Sequence, residues 1–277
     1  MMIVVISSMK GGVGKTETAL NLAIAAKKTG RSVILLDLDI PYGGVAQALG
    51  QTKEISVTDW IKTNRSISTK ALKSLVAVNE ENGLHYIPAI ASTSDLDRLD
   101  GQVVQRIINS LNTLYDIIII DSGVDLSEPT KAALQISDKI IIVTTANHVS
   151  AQNNYRYKED LVSLGIDRDK LLLFINMIPE QKTAGQIVKN IVTTFGETGS
   201  STQTVAEVHY DEKVAQIREA HGFAYNNCPS FRSGIDQVLQ KLGLANPIFS
   251  QEAKPSKTNA ASPGVVGWLK GLIPWSR

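Results

Sequence analysis

The sequence predicts an α/β fold built on a mostly parallel, doubly wound sheet. Three observations carry that expectation. Short aliphatic, β-branched runs such as Ile3–Ile6 and Ile117–Ile120 recur along the chain, the mark of strands buried on both faces. Helical stretches separate these runs, which is the spacing of βαβ units. A turn carrying glycines 11, 12 and 14 joins the first run to the first helix.

Each element has its own local reason. Ile3–Ile6 is the first strand, and a helix from Thr16 to about Lys28 follows the glycines and is stopped by Gly30. Ser32–Leu36 is a second buried strand, ending in Asp37-Leu38-Asp39. Thr58–Asn79 reads as an amphipathic helix, Leu84–Ile87 as a short strand and Asp95–Leu114 as a long helix. The four isoleucines 117–120 form a third buried strand closed by Asp121. Pro129 opens a short helix, and Lys139–Val143 is the next strand. Helix 149–164, strand 170–175, helix 184–195, strand 203–208 and helices 211–220 and 230–242 complete the body.

Composition narrows the function classes. Hydrophobic residues make up 43% and charged residues 20% of the 277, so wholesale disorder is excluded. The formal charge of +1 excludes a strongly basic nucleic-acid packer and gives DNA no support as a partner. The single cysteine, Cys228, supplies neither an internal disulfide nor a Cys-rich metal site. No apolar run approaches the roughly 20 residues of a membrane span, and the first residues lack the basic region of a signal peptide. The expectation is a cytoplasmic protein. Its plan is a domain over residues 1–245, a small, polar, Pro-containing linker over 246–264, and an apolar tail over 265–277.

The segment Met9-Lys10-Gly11-Gly12-Val13-Gly14-Lys15-Thr16 carries the chemistry. A phosphate loop reads GxxxxGK[ST]; here Gly14, Lys15 and Thr16 match and Met9 takes the first glycine position. Glycines let successive N–H groups face an anion, and the helix that follows adds its positive end. Lys15 then reaches the β- and γ-phosphates and the Thr16 hydroxyl serves Mg²⁺. Gly11, Gly12, Val13, Gly14, Lys15, Thr16 and Glu17 are the nucleotide-contacting candidates. A structural reading of the same glycines is a tight βα turn with an incidental lysine, which strand, helix and motif in register disfavour.

Lys10-Gly11-Gly12-Val13-Gly14-Lys15-Thr16 resembles the deviant Walker A motif of the ParA/MinD family of P-loop ATPases. The resemblance covers about residues 1–243. It implies a nucleotide-sandwich homodimer in which Lys10 contacts the partner's ATP. Asp121, ending an Ile-rich strand, has the pattern of a Walker B carboxylate and is a candidate Mg²⁺ ligand. Asp37 and Asp39 resemble the family's switch I. The resemblance gives Asp39 the task of orienting the attacking water and places Asp37 near the Mg²⁺ water shell; helix capping is the alternative for Asp37. Asn176 resembles the family's adenine-reading asparagine, with a turn residue before Pro179 as the alternative. Two departures stand out: Asp121-Ser122-Gly123-Val124 replaces the usual Pro- and Gly-containing switch II, and Val208-His209-Tyr210-Asp211 replaces DxxP.

Missing features exclude several branches. One cysteine cannot support an iron–sulfur reductase, no tyrosine-rich tail marks a kinase, and there is one phosphate loop rather than two. The segment 39–50 is most similar to the pilus-assembly CpaE/TadZ branch, without its receiver-like domain ahead of the phosphate loop. The expectation is a Mg-ATP-dependent, dimerising, slow and partner-stimulated ATPase that positions cellular cargo. The alternatives are a soluble ligase of the dethiobiotin-synthetase type and a non-hydrolysing scaffold.

The tail has its own reading. On a helical wheel Val265, Val266, Trp268, Leu269, Leu272 and Ile273 share one side, with Gly267, Lys270 and Gly271 opposite. Trp268 and Trp275 suit a headgroup zone, and every charge after Glu252 is basic. This is similar to the MinD tail and predicts a reversible membrane contact at the inner face of the cell membrane. Docking on the protein's own body or on a partner is the alternative.

Overall fold

An eight-stranded sheet organises the chain, in the order β3-β4-β2-β5-β1-β6-β7-β8. The strands are β1 (Met2–Ser7), β2 (Val33–Leu38), β3 (Ala77–Val78), β4 (His85–Ile87), β5 (Ile117–Ser122), β6 (Lys139–Thr145), β7 (Leu171–Ile178) and β8 (Gln203–His209). All neighbours pair in parallel except β3, which runs antiparallel to β4. The computed structural model describes residues 1–51, 56–57, 59, 73–89, 99–196 and 203–245. The expected linker (246–264) and tail (265–277) lie outside the described residues.

The helices are α1 (Lys15–Lys27), α2 (Val45–Ala48), α3 (Gly101–Leu111), α4 (Glu128–Ile136), α5 (His148–Ser163), α6 (Ala184–Gly196), α7 (Lys213–Glu219), α8 (Ala224–Asn227) and α9 (Pro229–Lys241). The period-2 alternation of the strands sorts their side chains into two cores. Val4, Ile6, Leu35 and Ile119 face α1 and α9, while Ile3, Val5, Ile34 and Ile120 face α3 and α4. Helix α1 is buried almost all round because Ala19, Ala23, Ala25 and Ala26 let it pack closely.

Two expected helices are shorter in the structure. Ala77 and Val78 belong to β3, because a hairpin turn from Asn79 to Leu84 folds the chain back onto β4. Most of the rest of 58–79 lies outside the described residues. Helix α3 starts only at Gly101, where the Asp100 side chain accepts from the Val103 N–H at 2.8 Å and caps it. The sequence reading also passes over α8, a single turn whose Ala224 is fully buried.

Connections leave β1 toward β2 on one side of the sheet, and β5 toward β6 on the other. The crevice at the carboxyl ends of β1 and β5 is therefore where a ligand of such a sheet sits. Among the described residues no helix is long and apolar enough to cross a membrane.

Candidate nucleotide site

The glycine loop lies over that crevice. Gly12 (φ 74°) and Gly14 (φ 94°) hold left-handed backbone, and Gly14 caps α1 without any side-chain hydrogen bond. The first-turn N–H groups of α1 are thus left for an anion. A Cβ at residue 14 would also sit 2.5 Å from the Asn176 amide nitrogen, so only glycine fits. Gly11, Gly12, Gly14, Lys15 and Thr16 line a cavity of about 510 Å³. Lys15 is 6% exposed and points its charge among Asp39 and Asp121. Val13 turns into the core instead. Lys10 does not line the cavity, and its ammonium has no hydrogen-bond or ion-pair partner among the described residues.

The three carboxylates differ sharply. Asp37 is fully buried; its Oδ1 accepts from the Asp39 N–H, and its Oδ2 from the N–H groups of Gly44 and Val45, at 3.0–3.1 Å. These three bonds hold the loop that runs from the end of β2 to the start of α2. Burial raises the Asp37 pKa above the ordinary carboxylate value, and the backbone donors restrain the rise. Asp39 is half-buried and lines the cavity; burial raises its pKa, Lys15 opposes the shift and Asp125 adds to it.

Asp121 is fully buried, and neither carboxylate oxygen reaches a partner in hydrogen-bonding geometry. Burial raises its pKa, and the neighbouring Asp37 charge raises it further, while the nearby Thr16 hydroxyl and Lys15 pull it down. An orphaned carboxylate beside a threonine hydroxyl is a hard-oxygen donor set and fits Mg²⁺. Among the described residues no group of three or more His, Cys, Asp or Glu forms a closed metal site.

The far end of the cavity is built from β7, β8 and α7. The β7–β8 register shifts between Ile175 and Ile178, and Met177 inside that irregularity has φ 54°. Such strained backbone persists where the surroundings impose it. Asn176 is 4% exposed, lines the cavity and donates its amide to the Val13 carbonyl at 2.9 Å. One donor of its amide is therefore used to brace the glycine loop. Val214, Ala215 and Phe231 add an apolar wall. Glu17 is buried in that wall, with Oε2 2.6 Å from the Arg218 guanidinium and Oε1 accepting from Asn21 at 2.6 Å.

Residues that the sequence reading missed hold the loop from behind. Asn154 on α5 accepts at Oδ1 from the Ser8 hydroxyl and the Met9 N–H. The Tyr157 hydroxyl lies 2.6 Å from Ser7 Oγ, to which Ser122 also donates. Ser122, in the altered switch II, thereby ties β5 to β1. The available signal was α5 itself. Its buried stripe is Ser150, Asn154, Tyr157, Lys158 and Leu161, mostly polar side chains at helical spacing.

A fold with a glycine cradle, an inward lysine and an orphaned strand-end aspartate defines a P-loop nucleotide-binding protein. A family model for the AAA domain, of ParA/MinD type, matches residues 1–156, and the chain belongs to that family. It is 28% identical over 194 residues to the septum site-determining protein MinD of Helicobacter pylori, covering 67% of this chain and 70% of that one. It is 28% identical over 247 residues to the chromosome partitioning protein ParA of Myxococcus xanthus, covering 84% and 80%. MinD of Pyrococcus horikoshii, solved with Mg-ADP, superposes with a TM-score of 0.70 at 19% identity, over 88% of this chain and 99% of the other.

Proposed function

We propose that the protein is a Mg-ATP-dependent ATPase that closes into a homodimer on ATP and serves as a switch for spatial positioning. The observation that carries the dimer is the contrast between its two loop lysines. Lys15 is buried inside the cavity; Lys10 stays outside it with no partner of its own. A charge so placed is available to the phosphates of a second copy. The surface around the cavity supports the same reading. Nine large apolar side chains stand exposed among the described residues. Five of them, Tyr42, Val124, Val149, Met177 and Tyr210, lie at the carboxyl ends of the strands, on the edge that carries the cavity.

Within one copy, Gly11, Gly12, Gly14 and Lys15 hold the phosphates, Thr16 and Asp121 hold Mg²⁺, and Asn176 with Met177 borders the base. Bound Mg²⁺ supplies charge neutralisation at the transferring phosphoryl group. Asp39 lines the cavity near Lys15 and orients water by position rather than by strong basicity. Relatives named for septum-site determination and for chromosome partitioning support a positioning role. Partner-stimulated turnover and a lipid contact through residues 265–277 complete the reading.

Sedimentation velocity tests it. Parent protein should dimerise with ATP and be a monomer with ADP, Lys10→Ala should stay monomeric in ATP, and Lys15→Ala should lose ATP binding in calorimetry. A Lys10→Ala variant that dimerises like the parent overturns the trans-acting role, and unchanged ATP affinity in Lys15→Ala overturns the phosphate loop.

A further inference from the structure

We propose that Asn154, acting through Ser8 and the Met9 amide, is the positioning residue that aims Lys10 out of its own site toward a second copy. The inference rests on the dimer reading above and adds a residue that neither motif nor spacing marks.

The glycine loop is held at two separate points. Its middle is braced from β7 by Asn176 on the Val13 carbonyl. Its entry is braced from α5 by Asn154, which is fully buried. Asn154 Oδ1 accepts from Ser8 Oγ and from the Met9 N–H, each at 3.0 Å. Its Nδ2 donates to the Val143 carbonyl at 3.0 Å. That last bond fixes the amide orientation, since a flipped amide would set a donor against the Met9 N–H. Ser8 Oγ then accepts from the Lys10 N–H at 3.1 Å. Both backbone N–H groups flanking the start of the lysine's chain are therefore set from α5.

Direction has to come from this backbone. Lys10 is half-buried and its ammonium has no partner among the described residues, so no bond of its own fixes where it points. Met9 also stands where a standard phosphate loop has glycine, so the turn depends on side-chain braces. Helix α5 carries the exposed Val149 in its first turn, one helical face away from Asn154. The element that presents apolar surface at the cavity edge thus also holds the entry of the loop.

Removing Asn154 leaves a part-buried N–H and a buried hydroxyl without their acceptor, and frees residues 9 and 10. The cradle over Gly11–Thr16 keeps its Asn176 brace. The test uses the full chain with ATP and with a slowly hydrolysed analogue, in calorimetry and in sedimentation velocity. Asn154→Ala should keep ATP affinity within about threefold, yet weaken ATP-driven dimerisation by about tenfold or more. Turnover should recover at high protein concentration. Ser8→Ala removes one small hydroxyl and should shift dimerisation the same way; it decides the matter if Asn154→Ala does not fold. Asn176→Ala should show the reverse pattern, with ATP affinity falling first.

If both variants dimerise like the parent, or lose ATP affinity as far as dimerisation, the positioning role is overturned and the dimer reading stands. If the parent does not dimerise with ATP, or Lys10→Ala dimerises normally, the dimer reading falls and takes this inference with it.

Discussion

Asp37 and Asp121 stand abreast, paired in register on β2 and β5 and both fully buried, yet only Asp37 has hydrogen-bond partners. Three backbone N–H groups serve Asp37, whereas both Asp121 oxygens are buried without a hydrogen-bond partner. Two carboxylates of identical chemistry therefore do different work. One holds the loop after β2 in shape. The other is buried without partners, which disfavours its charged form.

That burial sets a pH dependence. Burial and the Asp37 charge lift the pKa of Asp121 from 3.8 to about 8 in the folded chain. The folded state therefore keeps a proton that the unfolded state releases. The stability that comes with the neutral form is complete below 3.8 and drains as pH rises toward the folded value. Asp121→Asn mimics the neutral form. In nucleotide-free protein it should stabilise by about 1–3 kcal/mol at alkaline pH and by little in acid, while abolishing Mg²⁺-dependent turnover. Thermal melts across that range check it, and a loss of stability at every pH would contradict the assignment.

Asp39 lines the cavity but makes no phosphate contact in the proposed mechanism. Asp39→Ala should bind ATP normally, hydrolyse it about 100-fold or more slowly, and accumulate as the ATP dimer. Single-turnover hydrolysis with sedimentation measures both effects. Normal turnover would move the water-orienting task to another carboxylate.

Gly43 couples switch I to the core. It holds φ 64°, and a Cβ there would meet Asp37 Oδ2 and lie 2.6 Å from Ala89 Cβ. Gly43→Ala should destabilise by about 2–4 kcal/mol, combining left-handed strain with overpacking. Gly30 has φ 83° but nothing within 4 Å of its built Cβ, so Gly30→Ala should cost only the backbone part, about 1 kcal/mol. Urea unfolding of the pair separates the two contributions.

The tail prediction rests on sequence. The 277-residue chain should pellet with anionic vesicles in ATP and remain in solution in ADP, because two tails on one dimer would bind together far better than one. Deleting residues 265–277 should abolish pelleting. Equal pelleting of the truncated chain would refute the lipid contact.

Much of the site was legible because it is local. Gly11 to Gly14 form one continuous loop between β1 and α1, with Lys15 and Thr16 in the first turn of the helix, and the hydrophobic run ending at Asp121 marks a strand end by itself. That Asp37 takes three backbone N–H groups while Asp39 lines the cavity was not legible. Asp37 still belongs to β2 and accepts from the Gly44 and Val45 N–H groups of the returning loop, whereas Asp39 lies just past the strand end. Asn176 was found as a candidate, but its bond to the Val13 carbonyl, 163 residues away, was not foreseen.

The sequence by itself determined every strand but β3, the glycine loop, Lys15 and the odd lysine at position 10, since each follows from neighbours along the chain. Tertiary structure alone decided that Asn154 holds the loop entry, that Glu17 pairs with Arg218 across 201 residues, and that Asp121 is the aspartate left without partners. The physical reason is that apolar periodicity and backbone propensity act over a few residues. A buried polar group, in contrast, is satisfied by whichever distant side chain the strand order brings beside it.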